Sequence, residues 1–229
     1  MTPKKVHRFL VEHIPQTEHF TLAEPRLIHQ TLQVLKMTVG EQLALFVDGG
    51  SDIICTIIER TRDTLTLQKN TVTDPLPKER TVIAGIAIAK GQTFELIVQK
   101  LTELGVATIV PIITDRTVKQ SVRIDRIQTI SDEALEQSGG NARVTIHEPM
   151  TLAQCLKQLS FPSVAFQAGV ERKSLPTEDV VVMYIGPEGG WSNNDIDMLD
   201  QHEVQWQSLG NHILRTETAA IVGAYTLLQ

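Results

Sequence analysis

Cysteine and histidine are too few and too scattered in this chain of 229 residues to suggest a metal site or a disulfide. Cys55 and Cys155 stand far apart, without a CxxC pair or a Cys/His spacing that would suit zinc. The seven histidines form no cluster in the sequence. We therefore expect no bound metal, and we expect two buried thiols in a reducing cytoplasm.

Long apolar runs are also missing, since none approaches the roughly 20 residues that span a bilayer. The basic start of the chain is not followed by the apolar segment of a secretory signal. We therefore expect a cytoplasmic protein without membrane contact. The net charge of −6 argues against indiscriminate coating of nucleic acid, but it leaves room for a local basic face.

Two phosphate-binding motifs are absent. Neither glycine-rich loop described below matches GxxxxGK[ST], which disfavours a nucleoside triphosphate held by a P-loop. The first strand of the α/β part is followed by Ala89-Lys90-Gly91-Gln92 rather than GxGxxG, which disfavours a dinucleotide-dependent dehydrogenase. A ligand with a base and a ribose but no phosphates remains.

The first 75 residues read as short strands separated by turns. Apolar β-forming stretches cover residues 41–47, 52–59 and 64–68, and Asp48-Gly49-Gly50 is a hairpin signal between the first two. Ile28, Leu32 and Leu35 are spaced as on one helix, which would end before Gly40. This pattern predicts a small β-barrel.

The pattern changes after a linker at residues 74–77. Apolar strands and amphipathic helices then alternate, which predicts a parallel α/β sheet in residues 76–229. The predicted strands are 81–89, 107–113, 164–166, 180–185 and 204–209. The predicted helices lie around 94–104, with Gly105 as its terminator, 124–138 and 152–159, after Ser192, and at 219–228.

Two glycine-containing segments stand where a predicted strand passes into a helix. They are IGPEGGWS, residues 185–192, and LGNHILRTETA, residues 209–219. Ser192 with Asp195 predicts a capping box, and Thr216 is the expected N-cap of the last helix. Either segment alone could be an ordinary turn. Because ligands of α/β sheets gather at the carboxyl ends of strands, the pair predicts a binding crevice.

These two segments resemble the RsmE family of bacterial ribosomal RNA methyltransferases. Residues 98–106, residues 133–139 and His7-Arg8-Phe9 also match family motifs, in chain order and over nearly the whole chain. The resemblance implies a PUA-like β-barrel in residues 1–75 and a SPOUT α/β domain with a trefoil knot in residues 76–229. It also implies a homodimer that uses S-adenosyl-L-methionine to methylate N3 of one uridine, uracil 1498 of 16S ribosomal RNA in the small subunit.

The family resemblance also implies roles for particular residues. The expected cofactor-binding residues are Phe166, Gln167, Gly186, Pro187, Glu188, Gly189, Gly190, Leu209, Gly210, Ile213, Leu214, Thr218 and Ala219. The expected RNA-binding residues are His7, Arg8, Phe9, Lys36, Lys90 and Arg116. As catalytic residues, Arg215 would stabilise negative charge on a uracil carbonyl, and Glu217 would position Arg215 or accept the proton.

The sequence departs from the family pattern at positions expected to contact RNA. Gly140 stands where the family has an arginine, with Arg143 as its displaced counterpart, and Lys36 replaces another arginine. Leu10 follows Arg8-Phe9 where the family has a second phenylalanine. Two other interpretations therefore remain open: a SPOUT methyltransferase acting on another RNA or base, and a non-catalytic RNA-binding or ribosome-assembly protein.

Overall fold

The structure, a computed structural model, describes residues 6–74, 80–118 and 121–229. The chain divides into two compact units. The first unit comprises Met1–Pro77 and Leu135–Arg143, and the second unit comprises Lys78–Ala134 and Val144–Gln229. Residues 75–77 of the expected linker lie outside the described residues.

The first unit is built on a five-stranded sheet with the order β1-β3-β4-β5-β2. β1 pairs with β3 in parallel, and the other pairings are antiparallel. The hairpin predicted at Asp48-Gly49-Gly50 is confirmed, since it joins β3 to β4. The strands are β1 (His7–Leu10), β2 (His19–Leu22), β3 (Gln42–Phe46), β4 (Asp52–Arg60) and β5 (Leu65–Thr73).

This sheet is bent but open. Register shifts between Ile54 and Cys55 and between Ile57 and Glu59 interrupt the pairing of β4 with β5, and such irregularities bend a strand. β1 and β2 lie at opposite ends of the strand order, and among the described residues no pairing joins them. A closed barrel is therefore not found in this part of the chain.

The helix predicted across residues 28–35 is wrong in type. A short helix α1 (Pro25–Ile28) continues into a π-helical segment, His29–Val34, in which Leu35 N donates to Gln30 O at 2.9 Å. The buried Thr31 hydroxyl donates to Leu27 O at 2.7 Å. In a regular α-helix the Leu27 carbonyl would accept from the Thr31 backbone amide. Because the Thr31 hydroxyl satisfies this carbonyl instead, the wider π-helical turn is favoured.

The second unit confirms the predicted parallel α/β sheet. Its strand order is β12-β10-β11-β6-β7-β8, with β9 also on β7, and every pairing is parallel. Its elements are β6 (Thr81–Ala87), α2 (Thr93–Leu104), β7 (Thr108–Ile113), α3 (Ile124–Ser138), β8 (Thr145–Ile146), β9 (Met150–Thr151), α4 (Leu152–Gln158), β10 (Ser163–Phe166), β11 (Val180–Ile185), α5 (Asn193–Gln201), β12 (Gln205–Gln207) and α6 (Thr216–Leu228).

Both faces of this sheet are buried, which explains why its strands are continuously apolar. Along β6, Val82 and Ala84 pack into the cluster that includes residues of α2 and α6. Ile83, between them, packs into the cluster that includes residues of α4 and α5. Each large aliphatic side chain buried in this way contributes about 1.5–3 kcal/mol.

Helix boundaries follow the local sequence signals with one correction. The Ser192–Asp195 capping box is confirmed, and Gly105 ends α2 in the left-handed conformation, as predicted. Thr216 is not the N-cap of α6, because the helix begins there and Arg215 is the N-cap. Of the helices in the described part of the chain, none is both long and apolar enough to cross a bilayer.

Candidate functional site

A cavity of about 710 Å³ lies at the carboxyl ends of β10, β11 and β12 in the second unit. We call it the main cavity. Three connections and the first turn of α6 form its walls. Because parallel strands bring their carboxyl ends to one edge of a sheet, segments distant in sequence meet here.

The glycine-rich segment after β11 folds as a tight turn. Gly190 N donates to Pro187 O at 2.8 Å, and Gly190 has φ +71°, a conformation that favours glycine. A Cβ at Gly186 would lie 3.0 Å from the Trp191 ring. Both glycines are therefore required by the path of the backbone at the cavity wall.

Trp191 is a wall residue to which the sequence assigned no role. It is 7% exposed, and its Nε1 donates to Phe166 O at 3.4 Å. The rings of Trp191 and Trp206 meet edge to face at a centroid distance of 6.5 Å. The indole thus joins the end of β10 to the segment after β11. The sequence signal that could have identified Trp191 as a wall residue is its position directly after Gly189 and Gly190.

The residues after β7 brace the glycine-rich segment. Arg116 Nη1 donates to Gly189 O at 2.8 Å. The Asp115 carboxylate accepts from Ser192 Oγ at 2.7 Å. On another side, Lys90 N donates to Glu188 Oε1 at 3.1 Å. These bonds tie the glycine-rich segment to the residues that follow β6 and β7.

The segment after β12 is more exposed than the first. Ile213 is 89% exposed although it lines the cavity, and the Arg215 side chain is 87% exposed. Glu217, in the first turn of α6, is far less exposed, and its Oε1 lies 4.0 Å from Arg215 Nη1. The arginine is therefore oriented by a loose ion pair and remains open to a charged ligand.

Helix α6 approaches the cavity wall closely because it carries a glycine at position 223. A Cβ there would lie 2.8 Å from the ring of Phe166. Phe166 is 7% exposed and lines the cavity. The contact fixes the helix whose N-terminal turn presents Arg215 and Glu217.

Most of the predicted cofactor and catalytic residues come together in this cavity. Those that line it are Phe166, Gln167, Gly186, Pro187, Glu188, Gly190, Leu209, Gly210, Ile213, Leu214, Arg215, Glu217 and Ala219. Gly189 and Thr218 are not among the lining residues. Lining residues to which the sequence assigned no binding or catalytic role are Thr93, Ala168, Ile185, Trp191, His212 and Thr216.

The structure argues against RNA contact by Arg8 and Phe9 in the first unit. Both oxygens of Asp52 accept from Arg8, at 2.6 and 2.8 Å, and Arg8 also donates to the carbonyls of Leu135 and Gly140. Its guanidinium lies 4.4 Å from the centre of the Phe46 ring. Phe9 is 4% exposed and belongs to the core, so its ring cannot stack on a base.

The other predicted RNA-binding residues stay candidates. Lys36, Lys90 and Arg116 are exposed, and His7 is half-buried. Lys36 has φ +53°, which is uncommon for a residue with a side chain. Gly140, where the family has an arginine, offers its carbonyl to Arg8 instead.

The main cavity combines apolar walls with polar main chain and three kinds of ionisable side chain. Glu188, His212, Arg215 and Glu217 line it, but no lysine does. The described residues hold no group of three His, Cys, Asp or Glu side chains that could bind a metal ion. A lining with these groups and no lysine suits a ligand that carries an aromatic base and no phosphate.

Comparison with known proteins identifies the family. Residues 76–228 match the model of the RNA methyltransferase domain. The chain is 28% identical over 225 residues to ribosomal RNA small subunit methyltransferase E of Rickettsia conorii. The alignment covers 93% of this chain and 91% of that protein. It is 30% identical over 213 residues to the Synechocystis protein of the same name, and this alignment covers 85% of this chain and 68% of that protein.

Solved structures share the same architecture. A methyltransferase from Legionella pneumophila in complex with S-adenosylmethionine superposes with a TM-score of 0.88 at 27% identity, covering 98% of this chain and 97% of that one. Ribosomal RNA small subunit methyltransferase E of Neisseria gonorrhoeae superposes with a TM-score of 0.84 at 24% identity, covering 97% of this chain and 96% of that one. The matched domain and the two relatives show that the chain belongs to the RsmE family of ribosomal RNA small subunit methyltransferases.

Proposed function

We propose that this protein transfers a methyl group from S-adenosyl-L-methionine to N3 of one uridine in 16S ribosomal RNA, uracil 1498 of the small subunit. The observation that carries the proposal is the main cavity itself. It joins two glycine-containing strand ends to an arginine that is 87% exposed at its rim. Family membership supports the same reaction.

The cavity suits S-adenosylmethionine. Its volume of about 710 Å³ lies within the usual range for cofactor sites. Leu209, Ile213 and Leu214 would cover the faces of the adenine, and the main chain around Gly186 and Gly210 would meet its polar edge. A cofactor without phosphates needs no lysine cradle, and the lining has none. When bound, the cofactor supplies an electrophilic methyl group on a sulfonium.

Arg215 stabilises the charge that develops on the nucleobase. Uracil N3 carries a proton and is a poor nucleophile until that proton leaves. Its loss spreads negative charge onto the neighbouring carbonyl oxygens, which an exposed guanidinium can approach. A positioned donor of this kind is typically worth about 10²–10³-fold in rate.

Glu217 lies close enough to orient Arg215 and has the chemistry to accept the proton. Substitution Glu217→Gln separates the two roles. Loss of a general base lowers the rate by about 10²–10⁴-fold. Loss of an orienting ion pair alone, with one partner largely exposed, lowers it by less than about tenfold.

The RNA is held by both parts of the chain in this proposal. Residues 1–75, which we assign to a PUA-like domain built on an open sheet, contribute His7 and Lys36. Residues 76–229 contribute Lys90 and Arg116, which adjoin the glycine-rich segment through Glu188 and Gly189. The substrate is a ribosomal subunit, so the activity belongs to the cytoplasm.

We also propose a trefoil knot and a homodimer. β12 lies at the end of the strand order, yet the following α6 packs on β6 and β11. The chain therefore passes back across the sheet, as threading through a knot requires. Tyr225 on α6 is 55% exposed, and a second copy would cover it. A crystallographic chain trace tests the knot, and light scattering of the purified protein tests the dimer.

The test of the reaction is transfer of labelled methyl groups to small ribosomal subunits that lack the modification. We expect one labelled nucleotide, mapped to N3 of uracil 1498, and loss of labelling with Arg215→Ala. Label on another nucleotide would favour the alternative RNA target that Gly140 left open. Absence of transfer by a protein that binds S-adenosylmethionine would contradict the proposed reaction.

A further inference from the structure

A second cavity, of about 390 Å³, lies beside the main cavity in the second unit. We call it the Arg172 cavity. The connection after β10 forms one wall through Arg172, Lys173 and Leu175, and residues 207–209 at the end of β12 form another. The middle of α6 closes it. Leu209 lines both cavities, so the two are immediate neighbours.

The Arg172 cavity is positively charged in a chain whose net charge is −6. Arg172 and Lys173 line it, and no carboxylate does. Neither side chain has an ion-pair or hydrogen-bond partner within the ranges that the structure describes. Two unpaired cations lining a concave wall attract anions, because the shape focuses their field.

The wall that carries the two cations is fixed in place from β12. The Gln207 side chain is 2% exposed, and its Oε1 accepts from Lys173 N at 2.9 Å. Gln205 Nε2 donates to Ser174 O at 2.7 Å. Preorganised donors lose less entropy on binding than mobile ones.

Arg80 fixes the far end of the same connection. Its guanidinium donates to the carbonyls of Pro176 and Glu178, and to Leu227 O at the end of α6. The connection is thus bonded to β12 at one end and to α6 at the other. Arg172 and Lys173 stand on a built wall rather than on a free loop.

We propose that the Arg172 cavity binds a phosphodiester of the RNA strand next to the methylated uridine. The proposal rests on the proposed function. Arg172 and Lys173 contact the phosphate, and Leu175 and Val222 offer an apolar wall to the adjoining ribose. A strand that presents its base at the main cavity then passes Leu209 and places its neighbouring phosphate here.

The test compares wild-type protein with the double variant Arg172→Ala/Lys173→Ala. Binding to small ribosomal subunits that lack the modification is measured by sedimentation over a series of salt concentrations. We expect about tenfold weaker binding at physiological salt, and a salt slope that is shallower by about 1.4 for two lost contacts to a single strand. The affinity for S-adenosylmethionine, measured by calorimetry, stays unchanged.

Two controls separate the cavity from general electrostatics. Lys157→Ala removes an exposed charge on α4, outside both cavities, and should leave binding unchanged. Arg172→Lys/Lys173→Arg keeps both charges and should retain most of the binding. Equal affinity and salt slope in wild type and double variant, or no binding by either, overturns the proposal. A binding difference without methyl transfer supports the cavity and contradicts only the proposed reaction.

Discussion

Arg8 in the first unit and Arg215 in the second both belong to motifs of the RsmE family, yet their surroundings differ. The side chain of Arg8 is 14% exposed and its donors are taken by a carboxylate and two carbonyls. That of Arg215 is 87% exposed, with one carboxylate oxygen 4.0 Å away. The comparison teaches that partners and exposure, rather than a motif, decide whether an arginine stabilises the fold or meets a substrate.

Arg215→Ala should produce the largest effect. We expect single-turnover methylation of small subunits to fall by about 10²–10³-fold, because a charge-stabilising donor is lost. Thermal unfolding should not change, since the side chain is largely exposed. Arg215→Lys should recover part of the rate. A near-native rate for Arg215→Ala would remove the residue from the mechanism.

Arg8→Ala should lower stability instead of activity. The substitution leaves Asp52 and the carbonyls of Leu135 and Gly140 without their donor. Because the pair is partly exposed, we expect a loss of about 2 kcal/mol in the free energy of unfolding, measured in urea. Arg62→Ala, at an exposed turn, is the matched control. Unchanged stability together with weaker RNA binding would restore Arg8 as an RNA contact.

Arg116→Ala should weaken both cofactor binding and RNA binding. This exposed arginine is a candidate RNA contact, and it also donates a hydrogen bond to Gly189 O in the cavity wall. Loss of the hydrogen bond should weaken S-adenosylmethionine binding by about fivefold, equivalent to about 1 kcal/mol. Binding of small subunits should weaken as well. Calorimetry with the cofactor alone separates the two effects, and an unchanged cofactor affinity would show that the brace is dispensable.

The two cysteines should give the smallest effect at neutral pH, because the stability change that they cause appears only at alkaline pH. Burial raises the pKa of Cys55 and that of Cys155 to about 11, although Lys69 opposes the shift at Cys55. A raised pKa in the folded state means that the stabilisation is complete below the ordinary value of 9.0 and is lost as pH rises towards 11.

Urea unfolding between pH 8 and pH 10.5 measures the decline, and iodoacetamide at pH 8 should leave both thiols of the folded protein unmodified. Rapid alkylation of either thiol at pH 8 would contradict its burial. The variant that replaces both cysteines with alanine should show a flatter pH dependence than wild type.

Local signals in the sequence predicted the second unit well. Its strands are apolar because both faces of the sheet are covered, and Ser192 and Gly105 mark helix ends by their own chemistry. The N-cap of α6 was misplaced by one residue, because Thr216 is of a favoured N-cap type, whereas the actual N-cap, Arg215, is not and makes no side-chain capping bond. The two loops of the main cavity were predicted because each contains glycine and lies at the carboxyl end of a predicted strand.

Other features could not be read from local patterns. The helical periodicity of α3 is uninterrupted, so nothing in the sequence signals that Leu135–Arg143 belongs to the first unit. The parallel pairing of β1 with β3 depends on residues 36 positions apart, as His7 and Leu43 show. Arg8 looked free because Asp52 lies 44 residues away. Long-range partners of this kind leave no periodic trace.

The central claim is that the main cavity holds S-adenosylmethionine, and its most direct measurement is calorimetric titration of the cofactor into wild type and Ala168→Trp. Ala168 is exposed and lines the cavity, so the indole can fill the space without disturbing the core, and Ala168→Ser is the control. The account predicts one site per chain in wild type and Ala168→Ser, and none in Ala168→Trp. Equal binding by all three proteins, or none by wild type, would contradict it.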